Sequence, residues 1–411
     1  MAELTAELAF GLPAVGALIV SLFRRRRGLA VVAGLAFGIA GLVAAGLVVP
    51  GRQYQLLGLH AVLLAPEQVV LVATFVAAGL AVLFVPPGSD RVPMLVSVLA
   101  ALSAIAALAI LSDALVVALL VLLLAAVQAA VPALRSFADR VRPPAFGALL
   151  IALGALLAAG ATSTPLVRIA GLAMVVGVTA TIGVAPYLQG LDPREPAPAS
   201  PIAWLGFVGP ALAVVLVTRF VGLLPAESGA GYAVLLALGI FNLGLGAFGS
   251  WQSKANADLW RYSFIGDWGL VLVGFGLLNR TAAGGAYLLL LSILLLRLPL
   301  YLLARPALIQ AQRVATITPL TLLVAAALFG SAPFAGFAAR LLLIRGATQV
   351  PWPLTALLVL AMLSWLPQSL RLAQTLGRPT GRVAGGIVIV LLLNLALGLY
   401  PNPVLTLLGV R

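Results

Sequence analysis

Long hydrophobic runs follow one another along the whole chain, separated by short polar segments. The runs are continuous and do not alternate with polar residues, so they predict helices. Most have the roughly 20 residues that a helix needs to cross a hydrocarbon core about 30 Å thick. The pattern therefore predicts an all-α integral membrane protein with about fourteen transmembrane helices. The predicted spans are 5–23, 28–49, 67–86, 93–111, 113–134, 145–162, 165–190, 202–223, 230–250, 262–279, 283–303, 314–344, 351–371 and 383–400.

The polar segments are too short to hold a soluble domain, so residues 1–411 are predicted to form a single polytopic membrane domain. The first run is followed at once by others and lacks a small-residue cleavage site, which predicts a retained span. The longest polar break, 189–201, carries closely spaced prolines that favour an extended connector.

The composition supports this prediction and narrows the chemistry. The chain is 63% hydrophobic and 9% charged, with a mean hydropathy of +1.18, whereas soluble domains carry about 25% charged residues. It has no cysteine and a single histidine, His60. A disulfide framework, a thiolate metal site and an iron–sulfur cluster are therefore excluded. We expect no cofactor, no metal and no chemistry of the chain's own.

The formal net charge is +13, which in a soluble protein would suggest nucleic acid. The basic residues, however, are distributed unequally between the loops that join the predicted spans. The even-numbered loops hold only Arg52, Arg168, Arg280 and Arg345. The odd-numbered loops hold Arg24 to Arg27, Arg91, Arg135, Arg140, Arg142, Arg194, Lys254, Arg261, Arg305, Arg313, Arg371, Arg378 and Arg382. Since basic residues near span ends resist translocation, the odd loops are predicted to be cytoplasmic. Both termini should then lie on the non-cytoplasmic side of the cell membrane, and no nucleic acid is expected.

Two predicted spans contain helix breakers. The seventh ends in GVAPY around Pro186, and the twelfth contains FGSAPFAGF, with Pro333 and Gly336. Proline removes a helical hydrogen bond, so both helices are predicted to break. The two prolines are 147 residues apart, about five spans, which predicts two inverted five-helix repeats over about 93–223 and 230–371. Glycine and proline are also common in membrane helices, so kinks without a repeat stay open.

Few ionisable residues fall inside predicted spans, where each is costly. Arg219 lies near the end of its span, which predicts that its side chain snorkels to the outer surface. For Arg297, six residues from its span end, a structural and a functional role both stay open. Asp267, as a lone buried carboxylate, is expected either to be protonated or to pair with a cation, for which Arg297 and Arg340 are the candidates; Arg340 follows the twelfth-helix break. Glu67 is predicted to be a first-turn residue favoured by the helix dipole.

Four stretches resemble one known family. GVTATIGVAPY (177–187), followed by PAPAS (196–200), is similar to its broken seventh helix and connector. DLWRYSFIGDWG (258–269) resembles the segment that opens its tenth helix, and LFGSAPFAGFAAR (328–340) resembles the signature of its broken twelfth helix. Residues 135–144 match as a cytoplasmic basic loop. Over about 110–345 the chain thus resembles the antiporter-like membrane subunits of respiratory complex I, most closely the N-type subunit, which are related to Mrp-type sodium/proton antiporters and membrane-bound hydrogenases.

The resemblance implies a proton path through a glutamate on the fifth helix, lysines on the seventh and eighth, and a lysine or glutamate on the twelfth. The matching positions are substituted in this sequence: Leu123, with Gln128 nearby, on the fifth helix; Thr181 on the seventh; about Pro210 on the eighth; Arg340 on the twelfth; and Asp267 for the usual histidine on the tenth. Burial can lower the pKa of a lysine enough for proton exchange, whereas an arginine stays charged. We therefore predict a degenerate subunit.

The predicted function is that of a membrane-arm subunit of a complex I-like, NADH:quinone oxidoreductase-type proton-translocating assembly. It would lie in the bilayer, pack against sister antiporter-like subunits and act structurally or in coupling without pumping by the usual route. The candidate ion-path residues are Arg340, Asp267, Arg297 and Thr181. Two alternatives stay open: a self-sufficient secondary ion or proton antiporter or inorganic-carbon transporter, with Asp267 as its site, and an unrelated transporter or lipid-handling enzyme.

Overall fold

The computed structural model describes residues 2–56, 58–85, 91–111, 113–130, 137–160, 163–221, 230–310, 317–350, 352–377, 379 and 381–410. This part of the chain is almost entirely helical. It contains eleven helices that are long and apolar enough to cross a membrane, together with the shorter apolar helices Ala114–Ala130 and Pro319–Phe329. The prediction of an all-α, multi-pass integral membrane protein is confirmed.

The helices that precede the central proline-rich segment are α1 (Ala2–Leu22), α2 (Arg27–Leu47), α3 (Ala65–Phe84), α4 (Val92–Ile110), α5 (Ala114–Ala130), α6 (Phe137–Gly160) and α7 (Thr164–Ile182). Those that follow it are α8 (Pro201–Phe220), α9 (Ala230–Gln252), α10 (Asn256–Gly276), α11 (Arg280–Ile309), α12 (Pro319–Phe329), α13 (Ala335–Ala347), α14 (Trp352–Gln374), α15 (Gly381–Leu399) and α16 (Asn402–Leu407). One 3-10 turn, Ala197–Ala199, precedes α8. Strands β1 (Gln53–Leu56) and β2 (Leu59–Val62) form an antiparallel hairpin with Gln53 opposite Val62.

Several boundaries differ from the sequence prediction. Helix α6 begins at Phe137, eight residues before the predicted span, and α10 begins at Asn256, six residues before it. The seventh predicted span ran to residue 190, but α7 ends at Ile182, because Gly183 adopts a left-handed conformation with φ of 90°. The eleventh ended at 303, whereas α11 continues to Ile309. The hairpin β1–β2 occupies a segment predicted as a loop. Parts of the predicted spans lie outside the described residues, namely 86, 131–134, 161–162, 222–223, 314–316 and 351. The basic residues Arg135, Arg313 and Arg378 lie outside them too.

The chain divides into two compact units. The first comprises Met1–Gln189 and Glu195–Gly231. In it α1 packs against α2 and α4, α6 packs along α7 and α5, and α8 contacts α3, α4 and α7. Most of α8 is buried, which makes it the centre of this unit.

The second unit comprises Gly190–Arg194 and Tyr232–Arg411. Its central helix is α11, which packs against α10 and α13 and is almost wholly buried. The short helix α12 lies against the last part of α14, and α13 lies against α15. Large leucines on peripheral helices are exposed, for example Leu18, Leu119 and Leu360. An apolar exterior of this kind suits a bilayer, where lipid tails replace water.

Candidate charged site within the membrane helices

Five charged side chains are buried in the described part of the chain. Glu67 and Arg219 belong to the first unit, and Asp267, Arg297 and Arg340 belong to the second. Charged groups in membrane helices are rare because burial removes their hydration, so they are found in pairs or at functional sites. The structure brings Asp267, Arg297 and Arg340 together, and we call these three residues the charged cluster.

Asp267 lies near the middle of α10, and small residues around it set the position of this helix. A Cβ atom at Gly246 of α9 would stand 2.6 Å from the Cα atom of Gly266. A Cβ atom at Gly239 would stand 2.5 Å from the amide nitrogen of Val273. The backbones of α9 and α10 therefore approach as closely as glycine allows, and Asp267 is left only 6% exposed.

Arg297 is the principal partner of Asp267. Its Nε atom lies 2.5 Å from Oδ2 of the carboxylate, and its Nη2 atom donates to the backbone carbonyl of Leu328 at 3.4 Å. Arg297 ends a π-helical segment, Ile293–Arg297, in which the Leu298 amide bonds to the Ile293 carbonyl. Such a π-bulge inserts a residue into a helix and is frequent at functional sites. The sequence left open whether Arg297 snorkels, but it is buried and ion-paired, twelve residues before the end of α11.

Arg340 approaches the other carboxylate oxygen. Its Nη2 atom lies 3.8 Å from Oδ1 of Asp267, and its guanidinium carbon lies 5.4 Å from the centre of the Phe329 ring. A Cβ atom at Gly330 would stand 2.8 Å from Nη1 of Arg340, so only glycine leaves room for the guanidinium at the helix break. The sequence prediction that one arginine would pair with Asp267 understates the contact, because both do.

The charged cluster carries more positive than negative charge. Arginine cannot be deprotonated in a protein, so with Asp267 ionised the three side chains carry a net charge of +1. Three guanidinium nitrogens, Nη1 of Arg297 and Nε and Nη1 of Arg340, are buried without a hydrogen-bond partner among the described residues. Neither arginine is more than 7% exposed. The pairing is thus incomplete in both charge and hydrogen bonding.

The twelfth predicted span is broken beside this cluster, as its sequence indicates. Helix α12 ends at Phe329, Gly330 adopts a left-handed conformation with φ of 74°, and α13 begins at Ala335 after Pro333. The first amide of α13, that of Ala335, donates to Oδ1 of Asn394 at 3.2 Å. Gly398 of α15 packs so closely that an added Cβ atom would overlap the carbonyl oxygen of Pro333.

The first unit repeats the backbone of this break without its charges. Gly183, like Gly330, lies three residues before a proline. In each case the glycine amide bonds back into the last helical turn, and the next amide bonds to the carbonyl five residues before it: Val184 to Thr179, and Ser331 to Ala326. This is the Schellman pattern of helix ends. Both Ala–Pro bonds that follow are cis.

Thr181, the candidate of the first unit, lies in close helix packing. Its hydroxyl donates to the Gly177 carbonyl at 2.9 Å, and the side chain is fully buried. A Cβ atom at Gly147 of α6 would overlap both the Thr181 hydroxyl and the Gly177 carbonyl oxygen. A lysine side chain could not fit at position 181 without moving α6. Among the described residues, Thr181 makes no hydrogen bond to Glu67 or Arg219, the buried charged side chains of its own unit.

The other positions of the first unit that the resemblance matched to ionisable residues also carry uncharged side chains. Leu123 on α5 is 58% exposed and faces outward, Gln128 is buried, and Pro210 is buried in α8. The Oε1 atom of Gln128 finds no partner in the described part of the chain. These residues do not form a chain of ionisable groups.

Glu67 and Arg219 form a second buried ion pair, which the sequence analysis missed. Arg219 donates from Nε to Oε1 of Glu67 at 2.7 Å and from Nη2 to Oε2 at 2.6 Å. Nη2 also donates to the carbonyls of Val62 and Ala109. The prediction that Arg219 snorkels to the surface is therefore wrong: it faces inward and ties β2, α3 and α4 to α8. The position of Glu67 in the first turn of α3 is confirmed.

Polar contacts hold the first half of the proline-rich segment. In the first unit, Arg140 of α6 donates to both carboxylate oxygens of Glu195, and from Nη1 to Oε1 of Gln189 at 3.2 Å. In the second, Nε of Arg305 donates to the Pro193 carbonyl at 2.8 Å. No group of three His, Asp or Glu side chains able to hold a metal occurs within the described ranges.

Comparison with known proteins finds similar folds but no similar sequence. The sequence matches no protein-family model and no curated protein. A chain of the membrane-bound sulfane sulfur reductase, an archaeal respiratory membrane complex, matches with a TM-score of 0.82 and 16% identity over 99% of this chain and 96% of that one. A chain of the Mrp complex from Dietzia sp. DQ12-45-1b matches with a TM-score of 0.81 and 17% identity; the match covers 99% of this chain and 51% of that chain. A chain of respiratory complex I from Thermus thermophilus matches with a TM-score of 0.72 and 18% identity; the match covers 98% of this chain and 96% of that chain.

Proposed function

We propose that this chain is an antiporter-like membrane-arm subunit of a complex I-like proton-translocating assembly of the NADH:quinone oxidoreductase type. One observation carries the proposal: the fold matches chains of three multi-subunit membrane complexes over 98 to 99% of its own length. Two of those chains are themselves covered to 96%. The subunit would lie in the cell membrane, with both termini on the non-cytoplasmic side, and pack against sister antiporter-like subunits.

The two helix breaks support a division into repeats. When the sequence is moved by the 147 residues that separate Pro186 from Pro333, α6 falls on 284–307, inside α11, and α8 falls on 348–367, which overlaps most of α14. We therefore propose repeats over about 93–223 and 230–371. Their odd number of helices would make the second an inverted copy of the first.

In the first repeat we propose that the proton route has been lost. Moved back by the same spacing, Asp267 falls on Leu120 and Arg297 on Leu150, so the ion pair of the second unit has an apolar counterpart. The packing of Gly147 against Thr181 leaves no space for the family's lysine. A pathway without a side chain that gains and loses a proton cannot store one during a cycle.

In the second repeat the charged cluster supports a coupling role. Arginines hold their charge throughout, so Arg297 and Arg340 cannot relay a proton themselves. They hold Asp267 between them at unequal distances, 2.5 and 3.8 Å. A charge change in a neighbouring subunit would alter the balance between the two contacts, and Arg340 would transmit that change to the break at Gly330.

Two measurements test this function. An affinity-tagged chain extracted in a mild detergent should retain several other membrane subunits; a stable monomer or homodimer would instead support a self-sufficient antiporter. In the purified assembly, reconstituted in liposomes, Asp267→Ala and Arg340→Ala should each lower proton pumping per turnover. Arg371→Gln is the matched control, because Arg371, in the last turn of α14, lies outside the charged cluster and donates to the Ser253 carbonyl in the loop between α9 and α10. Unchanged pumping in both cluster variants would reduce these residues to packing.

A further inference from the structure

We propose that the charged cluster is a binding site for one small monovalent anion of the chloride class. The inference rests on Asp267, Arg297 and Arg340 and on the break between α12 and α13. It does not depend on the proposed function, because it concerns the charge balance of one site within the second unit. A chain that acted alone would need the same anion.

The charged cluster has one positive charge in excess. Asp267 neutralises one guanidinium, and the second is left without a counter-charge among the buried groups of its unit: Asp267, Arg297 and Arg340 are the charged side chains buried in its described part. Arginine cannot escape by losing its proton, and an unpaired buried charge is strongly unfavourable. One monovalent anion would bring the cluster to neutrality. A divalent anion would only reverse the sign of the excess.

Several buried hydrogen-bond donors at the cluster lack acceptors in the described part of the chain. Nη1 of Arg297 and Nε and Nη1 of Arg340 are buried donors without a partner in the described part of the chain. Nδ2 of Asn394, whose Oδ1 atom accepts from the first amide of α13, is a fourth such donor at the same break. A buried water would accept hydrogen bonds from some of these N–H groups but would not neutralise the excess positive charge. An anion would do both. The positive end of the 13-residue helix α13 adds to the attraction.

Burial limits the size of the occupant. Arg297 and Arg340 are 4% and 7% exposed, and Asn394 is fully buried. A carboxylate on a neighbouring protein cannot reach donors enclosed to this extent, and a large organic anion would have to separate α11 from α13. The chemistry that remains is a small ion that sheds its hydration shell, such as chloride, bromide or nitrate.

Thermal unfolding of the full-length chain in detergent, followed by tryptophan fluorescence, tests the site. Chloride or bromide replaces gluconate at constant pH and ionic strength. We expect Tm to rise saturably with either halide. Arg340→Gln should abolish the rise. Asp267→Asn should tighten halide binding by about tenfold or more, because it removes the competing carboxylate. Asp267→Glu, which keeps the charge, should retain the wild-type affinity.

Arg371→Gln serves as the control, since it removes a cation of the same unit that lies outside the cluster and should leave the halide response intact. Bromide anomalous scattering from the wild-type chain provides a readout that needs no variant to fold: a peak within hydrogen-bonding distance of Arg340 supports the site. The proposal is overturned if wild-type Tm is the same in chloride and gluconate. A halide effect that persists undiminished in Arg340→Gln, or bromide density only elsewhere, would overturn it equally.

Discussion

Exchange of each cluster arginine for glutamine should affect stability very unequally. With an effective dielectric constant near 20, Coulomb's law gives about 7 kcal/mol of attraction for the 2.5 Å contact of Arg297 with Asp267, and about 4 kcal/mol for the 3.8 Å contact of Arg340. Either exchange also relieves the repulsion between the guanidiniums. Arg340→Gln leaves a close neutral pair, whereas Arg297→Gln leaves the carboxylate with only the distant cation. We expect a loss of about 3–5 kcal/mol for Arg297→Gln and of less than about 1 kcal/mol for Arg340→Gln.

The assay is reversible unfolding of the purified full-length chain by sodium dodecyl sulfate, in gluconate buffer so that no halide contributes to stability. Tryptophan fluorescence reports the transition, and Trp268 stands next to Asp267 in the buried part of α10. Arg371→Gln should match the wild type. Equal losses for the two cluster variants, or a larger loss for Arg340→Gln, would refute the assignment of Arg297 as the principal partner.

Three further predictions concern packing and the second ion pair, measured with the same unfolding assay. Gly147→Ala should destabilise the chain by about 1–3 kcal/mol, because the new Cβ atom meets the backbone of α7, whereas Gly79→Ala on α3 meets nothing within 4 Å and should be neutral or slightly stabilising. Gly398→Ala should cost as much as Gly147→Ala, since it overlaps the helix break, and Gly385→Ala on the same helix has open space and is its control. Glu67→Gln should cost about 3–5 kcal/mol by leaving a buried arginine without its counter-charge; a loss below about 1 kcal/mol would contradict the buried pair.

The sequence predicts the membrane helices well because hydrophobic runs reflect contact with lipid or core over a fixed thickness. It predicts them less well where apolar character continues after the helix ends. Residues 184–188 are mostly apolar, yet α7 stops at Ile182, since the conformation of Gly183 directs the chain away from the helix. The break after Phe329 is easier to predict, because Gly330 and Pro333 interrupt a run that resumes immediately.

The ionic contacts are harder to predict, since distance along a span does not give the direction of a side chain. Arg219 lies close to the end of its run and could have reached water, but its face of α8 turns towards Glu67. The sequence did contain a signal for this pair. Glu67 and Arg219 have opposite charges, and each lies near the end of its predicted span that faces the outer side of the membrane. The sequence left open whether Asp267 is protonated or paired with a cation, and its contact with both arginines depends on how α10, α11 and α13 pack.

The helix breaks after α7 and after α12 share a backbone conformation but differ in the side chains around them. Thr181 and Leu328 each lie five residues before the break proline. At Leu328 the backbone carbonyl accepts a bond from Arg297, whereas at Thr181 the hydroxyl folds back onto its own helix and is covered by α6. Both helices nevertheless end in the same glycine conformation with the same hydrogen bonds. The break therefore has the same backbone conformation with and without an arginine bonded at this position.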